Sequence, residues 1–592
     1  MWNMDSGANG TNGSYGSHAY DFPEAQAATA PHPATVITGD GPSRHFFDTA
    51  SGAWKDHELT RLGDLDPGDA AFLQQRGLIV TPAGTPPTAT FRIRLQGRLV
   101  VPRDLAKRPS AVPIVFIVMG NHRAFEVTSG GVKEHPNFAG YDYLQQALAD
   151  VGVASCSVDT NYANALDLGI RARAEMLLDT VALVRSKAPP ATVAKLDFAT
   201  RFGLVGHSRG GDAVVMAALL AAARGLPFKV GCVASIAPTD NSGATTGFID
   251  AGAGQRVRVP TSLGAATRYL VLLGAHDGDV AGPSGNGFGL YDRATGDKTL
   301  IFARGITHNR FNTVWNECAD YADGRHIFVD DDDCRRRPSG ATFDPHIFAA
   351  VVHREYAKFA IGALVRRALL GDAAAEDVLR GLVAPTRTLL QQTPSEAGPA
   401  ASIQWSVTSA LTVDEFDAKG VGARTPTGGA VVAANEGRPT VPHASASFVA
   451  KAAGDKVRIE LGGRDLSARR ELTLRLTSMI PVKSEAAIKA AHAPDWVIRL
   501  VTSRGVATCT AAELDRRGLR DPNRPFFCEV YPFRDGNAAT QPAPFNVTKN
   551  QYDTLALPLS AFANADLRDV RAIEFEARGG ALPLIVDSFA FV

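Results

Sequence analysis

The chain has 592 residues, of which 45% are hydrophobic and 21% are charged, and its 61 lysines and arginines balance its 61 aspartates and glutamates. This length and composition are typical of a soluble globular protein with roughly two to four domains. The balanced charge gives no overall positive field to hold nucleic acid, and no apolar stretch approaches the length of a membrane span. We therefore expect neither a nucleic-acid partner nor a membrane-spanning segment.

The first 85 residues show little sustained periodicity. They predict an N-terminal extension that is partly disordered, with one short helix that Asp66 caps and Pro67 opens. Residues 1–33 are rich in glycine, serine, asparagine and alanine, and they lack the basic-then-apolar pattern of an export signal. The chain as given therefore predicts no signal peptide.

Six cysteines are spread unevenly along the chain. Cys156 and Cys232 lie in apolar runs and are predicted to be buried thiols. The other four flank two polar loops, Cys318 with Cys334 and Cys509 with Cys528, so each pair has the spacing for a local disulfide. If either disulfide forms, the protein folds outside the reducing cytoplasm. Localisation stays open, with a lean towards a secreted or periplasmic protein.

Strand and helix patterns alternate over residues 88–370. Residues 88–102 predict a β-hairpin or two adjacent strands, and the apolar run 112–120 predicts a strand buried on both faces. The elements predicted next are helix 141–150, strand 153–158, helix 169–187, strand 202–205, helix 212–223, strand 229–236, strand 268–273 and strand 299–303. This alternation predicts an α/β domain over residues 86–385, built on a doubly wound, mostly parallel sheet.

A polar loop with four consecutive aspartates, residues 330–333, follows the last of these strands. It lacks the alternating ligands and the glycine of a calcium loop, so a solvated loop is the favoured interpretation. A helix is predicted after it, with Asp344 as its cap, Pro345 in its first turn and an end near Leu370. No metal site and no cofactor are predicted.

Residues 386–405 are rich in proline, serine, glycine and alanine and predict a linker. The pattern then changes to short alternating runs separated by polar and glycine-containing turns. The runs are SIQWSVT, ASFVAKA, KVRIELGG, LTLRLTSMI, DWVIRLVTS, TLALPLSAF, AIEFEA and LIVDSFAFV. They predict an all-β sandwich over residues 406–592.

The strongest functional motif is Gly206-His207-Ser208-Arg209-Gly210-Gly211. An apolar run precedes it and a small-residue helical pattern follows it, so the serine lies at the apex of a sharp strand-to-helix turn. A Cβ at either flanking glycine position would collide with the neighbouring strand or helix. The pattern predicts Ser208 as a nucleophile at a helix N-terminus, which favours negative charge. The alternative is a structural turn whose serine only caps the helix.

A serine hydroxyl needs a base to act as a nucleophile at neutral pH, and the base needs a carboxylate to orient it. The loops after two later predicted strands supply these groups at Asp277 and His308. Loops at the carboxyl ends of parallel strands converge on one edge of the sheet, so we expect the two side chains to meet there. Asp279 lies in the same tight turn and is the rival candidate for the acid. His207 and His276 are predicted to be packing or pocket residues.

Acyl transfer also needs donors for the oxyanion that forms on the carbonyl oxygen. The backbone N–H of Arg209 is the first predicted donor, and the loop after strand 112–120 supplies the second, at Asn121. Phe125 and Trp315 flank the oxyanion and histidine loops. They either line a substrate pocket or pack in the core.

These motifs resemble those of the α/β-hydrolase superfamily, and the likeness covers about residues 88–370. The residues that carry it are the serine turn, the Gly120-Asn121 loop, the Gly274 to Val280 turn and the Thr307-His308-Asn309 loop. Within the superfamily the chain is most similar to bacterial serine esterases that include dienelactone-hydrolase, chlorophyllase and cutinase relatives, which implies carboxylic ester hydrolysis. Two positions depart from the pattern: Met119-Gly120 replaces the usual His-Gly, and Arg209 replaces an apolar residue.

The C-terminal region is similar to jelly-roll carbohydrate-binding or galactose-binding-like modules. The likeness rests on the runs LALPLSAF, DLRDVRAIEFEA and LIVDSFAFV. It implies a glycan or polymer partner for this domain. A purely structural packing module is the alternative.

The sequence thus predicts a serine esterase that acts on a small-molecule or polymer-attached ester through Ser208, His308 and Asp277. A serine peptidase of the same fold is one alternative, although such enzymes usually carry a propeller first and no repeat of blade length is present. A non-catalytic binding protein on a hydrolase scaffold is another. Its hallmark would be a damaged triad, whereas every member is present here.

Overall fold

The computed structural model describes residues 18–20, 34–45, 47–48, 53–54, 92–122, 124–128, 131–165, 170–240, 248–250, 256–258, 263–274, 277, 280, 287–303, 306–315, 317–318, 327–328, 350–385, 401–406, 410–414, 424–433, 446–478, 495–511, 528–533, 545–550, 553–579 and 584–592. Two units account for most of them. The first is a mixed sheet with helices on both faces, and the second is a pair of facing antiparallel sheets.

Nine strands form the mixed sheet of the first unit. They are β1 (Ala34–His45), β2 (Arg92–Pro102), β3 (Val112–Val118), β4 (Ala154–Val158), β5 (Leu196–His207), β6 (Val230–Ile236), β7 (Arg268–Gly274), β8 (Lys298–Ala303) and β9 (Ala401–Ser406). Their order across the sheet is β1-β2-β4-β3-β5-β6-β7-β8-β9. The six strands from β4 to β8 in this order are parallel, whereas β2 pairs antiparallel with β4 and β1, and β9 with β8.

The helices cover both faces of this sheet. They are α1 (Asp142–Asp150), α2 (Asn161–Ala165), α3 (Ile170–Lys187), α4 (Pro190–Val193), α5 (Arg209–Ala223), α6 (Phe288–Arg293), α7 (Ala350–Leu369) and α8 (Ala375–Leu379). Ile114 and Phe116 of β3 share one apolar cluster with α3, α5 and α6, while Val115 and Ile117 share another with α1 and α7. Successive side chains of a strand point to opposite faces, so β3 is buried on both, as the sequence predicts.

The chain changes direction across the sheet at β3. The helix α1, between β3 and β4, packs on one face, and α3, which leads from β4 to β5, packs on the other. Strands β4 and β5 therefore lie on opposite sides of β3. In open sheets of this kind a crevice forms at the carboxyl ends of the strands where the order reverses, and ligands bind there.

Eleven strands form the second unit. They are β10 (Leu411–Asp414), β11 (Arg424–Thr427), β12 (Ala430–Ala433), β13 (Ala446–Ala450), β14 (Lys456–Arg464), β15 (Glu471–Ser478), β16 (Asp495–Thr502), β17 (Gly505–Thr510), β18 (Asp553–Pro558), β19 (Val570–Gly579) and β20 (Leu584–Phe591). One sheet has the order β12-β13-β20-β15-β18, with β10 also on β20, and the other β11-β14-β19-β16-β17. Phe575 of the second sheet contacts Phe448 and Phe589 of the first, so one core joins the two.

Short elements complete the described structure. The two-stranded ladders join His18–Tyr20 to Val383–Pro385, Phe47–Asp48 to Ala53–Trp54, Phe125–Thr128 to Gly131–Glu134, Phe248–Asp250 to Arg256–Arg258, Glu317–Cys318 to Ile327–Phe328 and Cys528–Phe533 to Phe545–Asn550. The 3-10 helices are Leu105–Lys107, Asn137–Tyr141, Asn309–Phe311 and Leu559–Ala561. Within the part of the chain that the structure describes, no helix is long and apolar enough to cross a lipid bilayer.

The predicted hairpin at residues 88–102 is wrong, because residues 92–102 form the single strand β2. Gly97 lies in the middle of β2, where it pairs with Gly39 on one side and Val158 on the other. A Cβ at Gly97 would lie 2.9 Å from the Ser157 carbonyl oxygen. The glycine therefore permits a close approach of two strands and does not form a turn.

Two predicted boundaries also need correction. The run SIQWSVT does contain a strand, but that strand, β9, pairs with β8 of the mixed sheet, so the predicted linker 386–405 and the sandwich boundary at 406 are wrong at this end. Similarly, β1 pairs with β2 and so joins residues 34–45 of the predicted N-terminal extension to the sheet. The predictions for Asp66, Pro67, the aspartate run 330–333, Asp344 and Pro345 concern residues outside those that the structure describes.

Candidate active site

Ser208 lies at the apex of the turn between β5 and α5. It has a φ of 56° and a ψ of −130°. A positive φ costs a residue other than glycine roughly 1–3 kcal/mol and persists only where the surroundings enforce it. The Ser208 amide donates to the Ile236 carbonyl at 2.9 Å, and the residue is 3% exposed. The end of the neighbouring strand β6 therefore holds the serine in a strained conformation.

Two glycines of this turn lie where any side chain would collide with backbone. A Cβ at Gly206 would lie 2.0 Å from the Gly210 carbonyl oxygen, and a Cβ at Gly210 would lie 2.4 Å from the Val118 carbonyl oxygen. Neither position accepts a larger residue unless the backbone moves. The first turn of α5 lies directly against β5 and β3. The collisions therefore confirm the prediction that a Cβ at either flanking glycine would meet a neighbouring strand or helix.

Asp277 follows β7, His308 follows β8, and their side chains are in contact. His308 Nδ1 lies 2.8 Å from Asp277 Oδ2, and the two residues are 1% and 2% exposed. The other carboxylate oxygen of Asp277 accepts the Val280 amide at 3.0 Å. Because an ionised carboxylate only accepts hydrogen bonds, the neutral His308 ring carries its proton on Nδ1. Nε2 is then its basic nitrogen.

Backbone contacts tie the acid, the base and the serine turn together. His207 Nε2 lies 2.9 Å from the His308 carbonyl oxygen, and the two imidazole rings are 5.1 Å apart. A Cβ at Gly274, the last residue of β7, would lie 2.3 Å from the Ile306 carbonyl oxygen. The end of β7 therefore packs against the start of the His308 loop. The same loop is hydrogen-bonded to His207, the residue before Ser208.

The predicted oxyanion loop lies beside Ser208. A Cβ at Gly120 would lie 3.0 Å from Ser208 Oγ, so only a glycine lets the loop approach the hydroxyl this closely. The next residue, Asn121, is exposed, and its Oδ1 accepts from the buried Arg173 of α3 at 3.3 Å. Arg209 occupies the first position of α5, where a helix N–H has no intrahelical partner. Both predicted donors thus belong to segments that flank the serine.

Trp315 is 1% exposed and bridges the oxyanion loop and the serine turn. Its ring stacks on His122 and on His207, with 4.8 Å between centroids in each case, and its Nε1 donates to Asn137 Oδ1 at 3.0 Å. These contacts favour core packing over a pocket wall for Trp315. The side chain of Phe125, the other predicted pocket residue, lies outside the described part of the chain.

Burial affects the ionisation of His207 directly. Its pKa is lowered well below the ordinary value, first by desolvation and then by the nearby imidazoles of His308 and His122. His207 is fully buried and is therefore neutral near pH 7.

Three of the cysteines that the structure describes are buried. Cys156 and Cys232 are buried thiols as predicted, and burial raises the pKa of each to about 12, so both are unreactive. The buried Cys509 has its Sγ 4.0 Å from the Thr510 carbonyl oxygen. Asp279, His276 and Cys334 lie outside the described residues, and both disulfide pairings stay predictions.

Sequence reasoning missed three side chains that support this site. The sequence predicts a packing or pocket role for His207 but not its hydrogen bond to the His308 backbone, and it does not distinguish Arg173 or His353. All three are fully buried. The position of His207 inside the serine motif is the one local signal that could have identified it, whereas Arg173 and His353 lie in ordinary helical patterns.

The described residues contain no group of three or more His, Cys, Asp or Glu side chains placed to hold a metal ion. No family model matches the chain, and no curated protein matches it either.

Proposed function

We propose that the protein is a serine hydrolase that cleaves carboxylic esters through Ser208, His308 and Asp277. The observation that carries the proposal is the buried contact of 2.8 Å between His308 Nδ1 and Asp277 Oδ2. The loop that carries His308 is also hydrogen-bonded to His207 of the serine turn. A turn whose serine only caps a helix has no need of an oriented imidazole nearby. The strained backbone of Ser208 also supports a functional role, since strain of this kind collects at active sites.

The proposed reaction has two halves. Ser208 Oγ attacks the ester carbonyl carbon while its proton passes to His308 Nε2, and the carbonyl oxygen becomes an oxyanion held by the N–H groups of Arg209 and Asn121. The intermediate collapses, the bond to the alcohol oxygen breaks, and His308 returns the proton to the leaving alcohol. Water then attacks the acyl-enzyme with His308 again as base, which releases the acid and restores Ser208. Asp277 stabilises the imidazolium and fixes its orientation.

The α/β-hydrolase fold is part of the same proposal. The serine follows the central strand β5, the acid follows β7 and the base follows β8, which is the chain order serine, acid, histidine of that fold. The parallel strands between two helical layers support the assignment, and so does the reversal of strand order at β3. The substrate class is a small-molecule or polymer-attached ester.

The experiment is hydrolysis of p-nitrophenyl acetate and butyrate by the 592-residue chain, together with covalent labelling by a fluorophosphonate. Ser208→Ala is the test variant, and Ser186→Ala is its control, because Ser186 is an exposed serine of α3. We expect the wild type and the control to react and to label alike. Ser208→Ala should lose about 10⁴-fold or more in kcat and should not label.

The other outcomes decide between the alternatives. Turnover of matching p-nitroanilide amides at rates comparable to the esters would favour the peptidase. A wild type that neither hydrolyses the esters nor labels would overturn the hydrolase proposal and leave the non-catalytic binding protein. Equal activity of Ser208→Ala and the wild type would also overturn it, because the reaction would then belong to another group.

A further inference from the structure

Two buried imidazoles that the ester chemistry does not use hold the loop that carries His308. His207, at the end of β5, contacts the His308 carbonyl oxygen at 2.9 Å. His353, on α7, contacts the Thr307 amide nitrogen at 2.8 Å and the Thr307 hydroxyl at 2.9 Å. Both histidines are fully buried. Two consecutive residues of the loop are therefore held by side chains from two different elements.

The partners of each ring fix where its proton lies. A carbonyl oxygen only accepts hydrogen bonds, so His207 donates from Nε2 to His308. Its other nitrogen, Nδ1, is then unprotonated and accepts a hydrogen bond from the Tyr141 hydroxyl at 2.9 Å. This chain of hydrogen bonds selects the Nε2–H tautomer of His207.

His353 must have the opposite tautomer. The Thr307 amide only donates, so His353 Nε2 is the bare nitrogen and the proton lies on Nδ1. The loop thus needs one imidazole that donates and one that accepts, each neutral. Loss of the His353 contact would leave the Thr307 amide without its acceptor in a buried environment, at 0% exposure, and loss of the His207 contact would remove a donor from the His308 carbonyl oxygen, at 1% exposure.

Simple packing does not explain why these positions are imidazoles. Phe311 contacts both rings edge-on, at 5.7 Å from His207 and 5.8 Å from His353, and Trp315 covers a face of His207. These surroundings are aromatic, and a phenyl ring would fill such a space without the desolvation cost of a buried polar ring. The nitrogen atoms therefore serve the loop rather than the packing.

We infer that His207 and His353 are positioning residues that clamp the Thr307–His308 backbone and so keep the His308 ring between Asp277 and Ser208. This inference rests on the proposed function, because it assigns the clamp to the base of that reaction. A shift of about 1 Å in such a group costs about 100-fold in rate. The clamp acts on the reacting geometry and not on substrate binding, so its loss lowers kcat and leaves KM nearly unchanged.

The test compares phenylalanine and glutamine at each position. Phenylalanine keeps a flat ring but makes no hydrogen bond, whereas glutamine offers an amide N–H at position 207 and an amide oxygen at position 353. We expect His207→Phe and His353→Phe to lose about 100-fold in kcat at unchanged KM, and His207→Gln and His353→Gln to stay within about 10-fold of wild type. Tyr291→Phe, a buried tyrosine of the opposite apolar layer, is the control for loss of aromatic polarity and should keep full activity.

A second measurement does not depend on turnover. The proton that His308 Nδ1 shares with Asp277 gives a far-downfield line in the ¹H NMR spectrum. We expect this line in the wild type and in both glutamine variants, and its loss in both phenylalanine variants. If the wild type hydrolyses no ester, the line still reports whether the clamp holds His308 against Asp277, so the two proposals fail separately.

Two results would overturn the clamp. The first is that both phenylalanine variants keep kcat and the downfield line and lose only thermal stability, which would make the two histidines packing residues. The second comes from Tyr141→Phe, which is the test variant if the phenylalanine variants do not fold. This change removes only the donor to His207 Nδ1. It should lower kcat by about 3- to 10-fold, a small effect because the His308 carbonyl still selects the Nε2–H tautomer. Unchanged kcat together with an unchanged line in Tyr141→Phe would contradict the inference.

Discussion

The two units of the protein use buried polar side chains differently. In the described part of the sandwich such side chains are few: Asp455, Glu471, Thr473, Thr502 and Asp553. In the mixed-sheet unit they are more numerous, and a group of them that includes Ser208, Asp277 and His308 lies at the carboxyl ends of the strands. The sandwich core is built from apolar side chains of both sheets.

The polar groups of the sandwich are engaged in supporting structure. Asp455 Oδ2 accepts the Lys451 and Ala452 amides at 2.7 and 3.0 Å and so closes a turn. Asp553 Oδ1 accepts the Ile403 amide at 2.9 Å. By contrast, Asp277 and His308 bond each other across two loops. Buried polar groups that end on backbone support the fold, whereas the buried carboxylate and imidazole that meet after β7 and β8 fit the proposed catalytic pair.

The sandwich also covers an edge of the mixed sheet. The amides of Ile403 and Trp405 in the edge strand β9 donate to Asp553 Oδ1 and Thr554 Oγ1 of β18, the latter at 3.1 Å. Arg380 forms an ion pair with Glu471 and lies 4.2 Å from the centre of the Trp405 ring. An uncovered edge strand exposes unpaired donors and invites association with other chains. These contacts support the structural-module alternative for the sandwich.

The largest expected effect is in the mixed-sheet unit. Asp277→Asn presents an amide to His308 and favours the wrong tautomer, so kcat should fall about 10⁴-fold while the fold persists. Ester hydrolysis measures kcat, and a thermal melt measures whether the fold persists. Asp465→Asn, in an exposed turn of the sandwich, is the control and should leave kcat unchanged. A loss of less than about 10-fold in Asp277→Asn would remove Asp277 from the acid role.

The contact between the units gives the next effect. Asp553→Ala leaves the buried Ile403 amide without its acceptor, so the free energy of unfolding should fall by about 1–3 kcal/mol. Urea denaturation measures this loss, and hydrogen exchange at the Ile403 amide should become faster. Activity at 25 °C should stay unchanged, because Asp553 contacts the middle of β9 and not the loops after β7 and β8 that carry the reacting groups. An unchanged unfolding curve and exchange rate would mean that the sandwich does not hold β9.

The pH dependence of stability should also differ between the units. Burial lowers the folded-state pKa of His207 below the ordinary 6.5, so the unfolded chain binds a proton that the folded protein does not. The stability due to neutral His207 is complete above about pH 6.5 and is lost as the pH falls towards the lowered pKa, at up to about 1.4 kcal/mol per pH unit.

The measurement is urea denaturation from about pH 7 to about pH 5 for the wild type and for His207→Gln. The other titrating groups cancel in the difference, so the variant should lose less stability on acidification. The described part of the sandwich holds no histidine and should contribute little to this slope. Equal slopes for the two proteins would contradict the lowered pKa.

The smallest effect is expected on the outer face of the sandwich. Arg499 bonds Glu576 at 2.6 Å, and Arg458 bonds Glu574 at 2.6 Å, on neighbouring strands. Such partly exposed ion pairs contribute about 1 kcal/mol or less. Arg499→Gln should therefore shift the melting temperature only slightly, with no effect on kcat, and high salt should remove most of the difference. A larger, salt-independent loss would show that this face has a role beyond surface ion pairing.

Local sequence patterns predicted most elements to within a few residues. The predicted helix 169–187 is observed as Ile170–Lys187, and the predicted strand 229–236 as Val230–Ile236. Apolar periodicity and flanking turn residues carry this information, because they depend on near neighbours in the chain. The serine turn could be predicted for the same reason, since its glycines, its apex residue and its helix are consecutive.

Strand partners and supporting contacts could not be predicted in this way. The alternation in residues 401–406 indicates a strand but does not distinguish a neighbour in the sandwich from β8, and Gly97 indicates a turn as readily as a close strand crossing. His207 meets His308 across 101 residues and Thr307 meets His353 across 46. The sequence by itself determined the element types and the serine motif. The tertiary structure alone decided which side chains meet, because hydrogen bonds between distant residues depend on how the elements pack and not on local pattern.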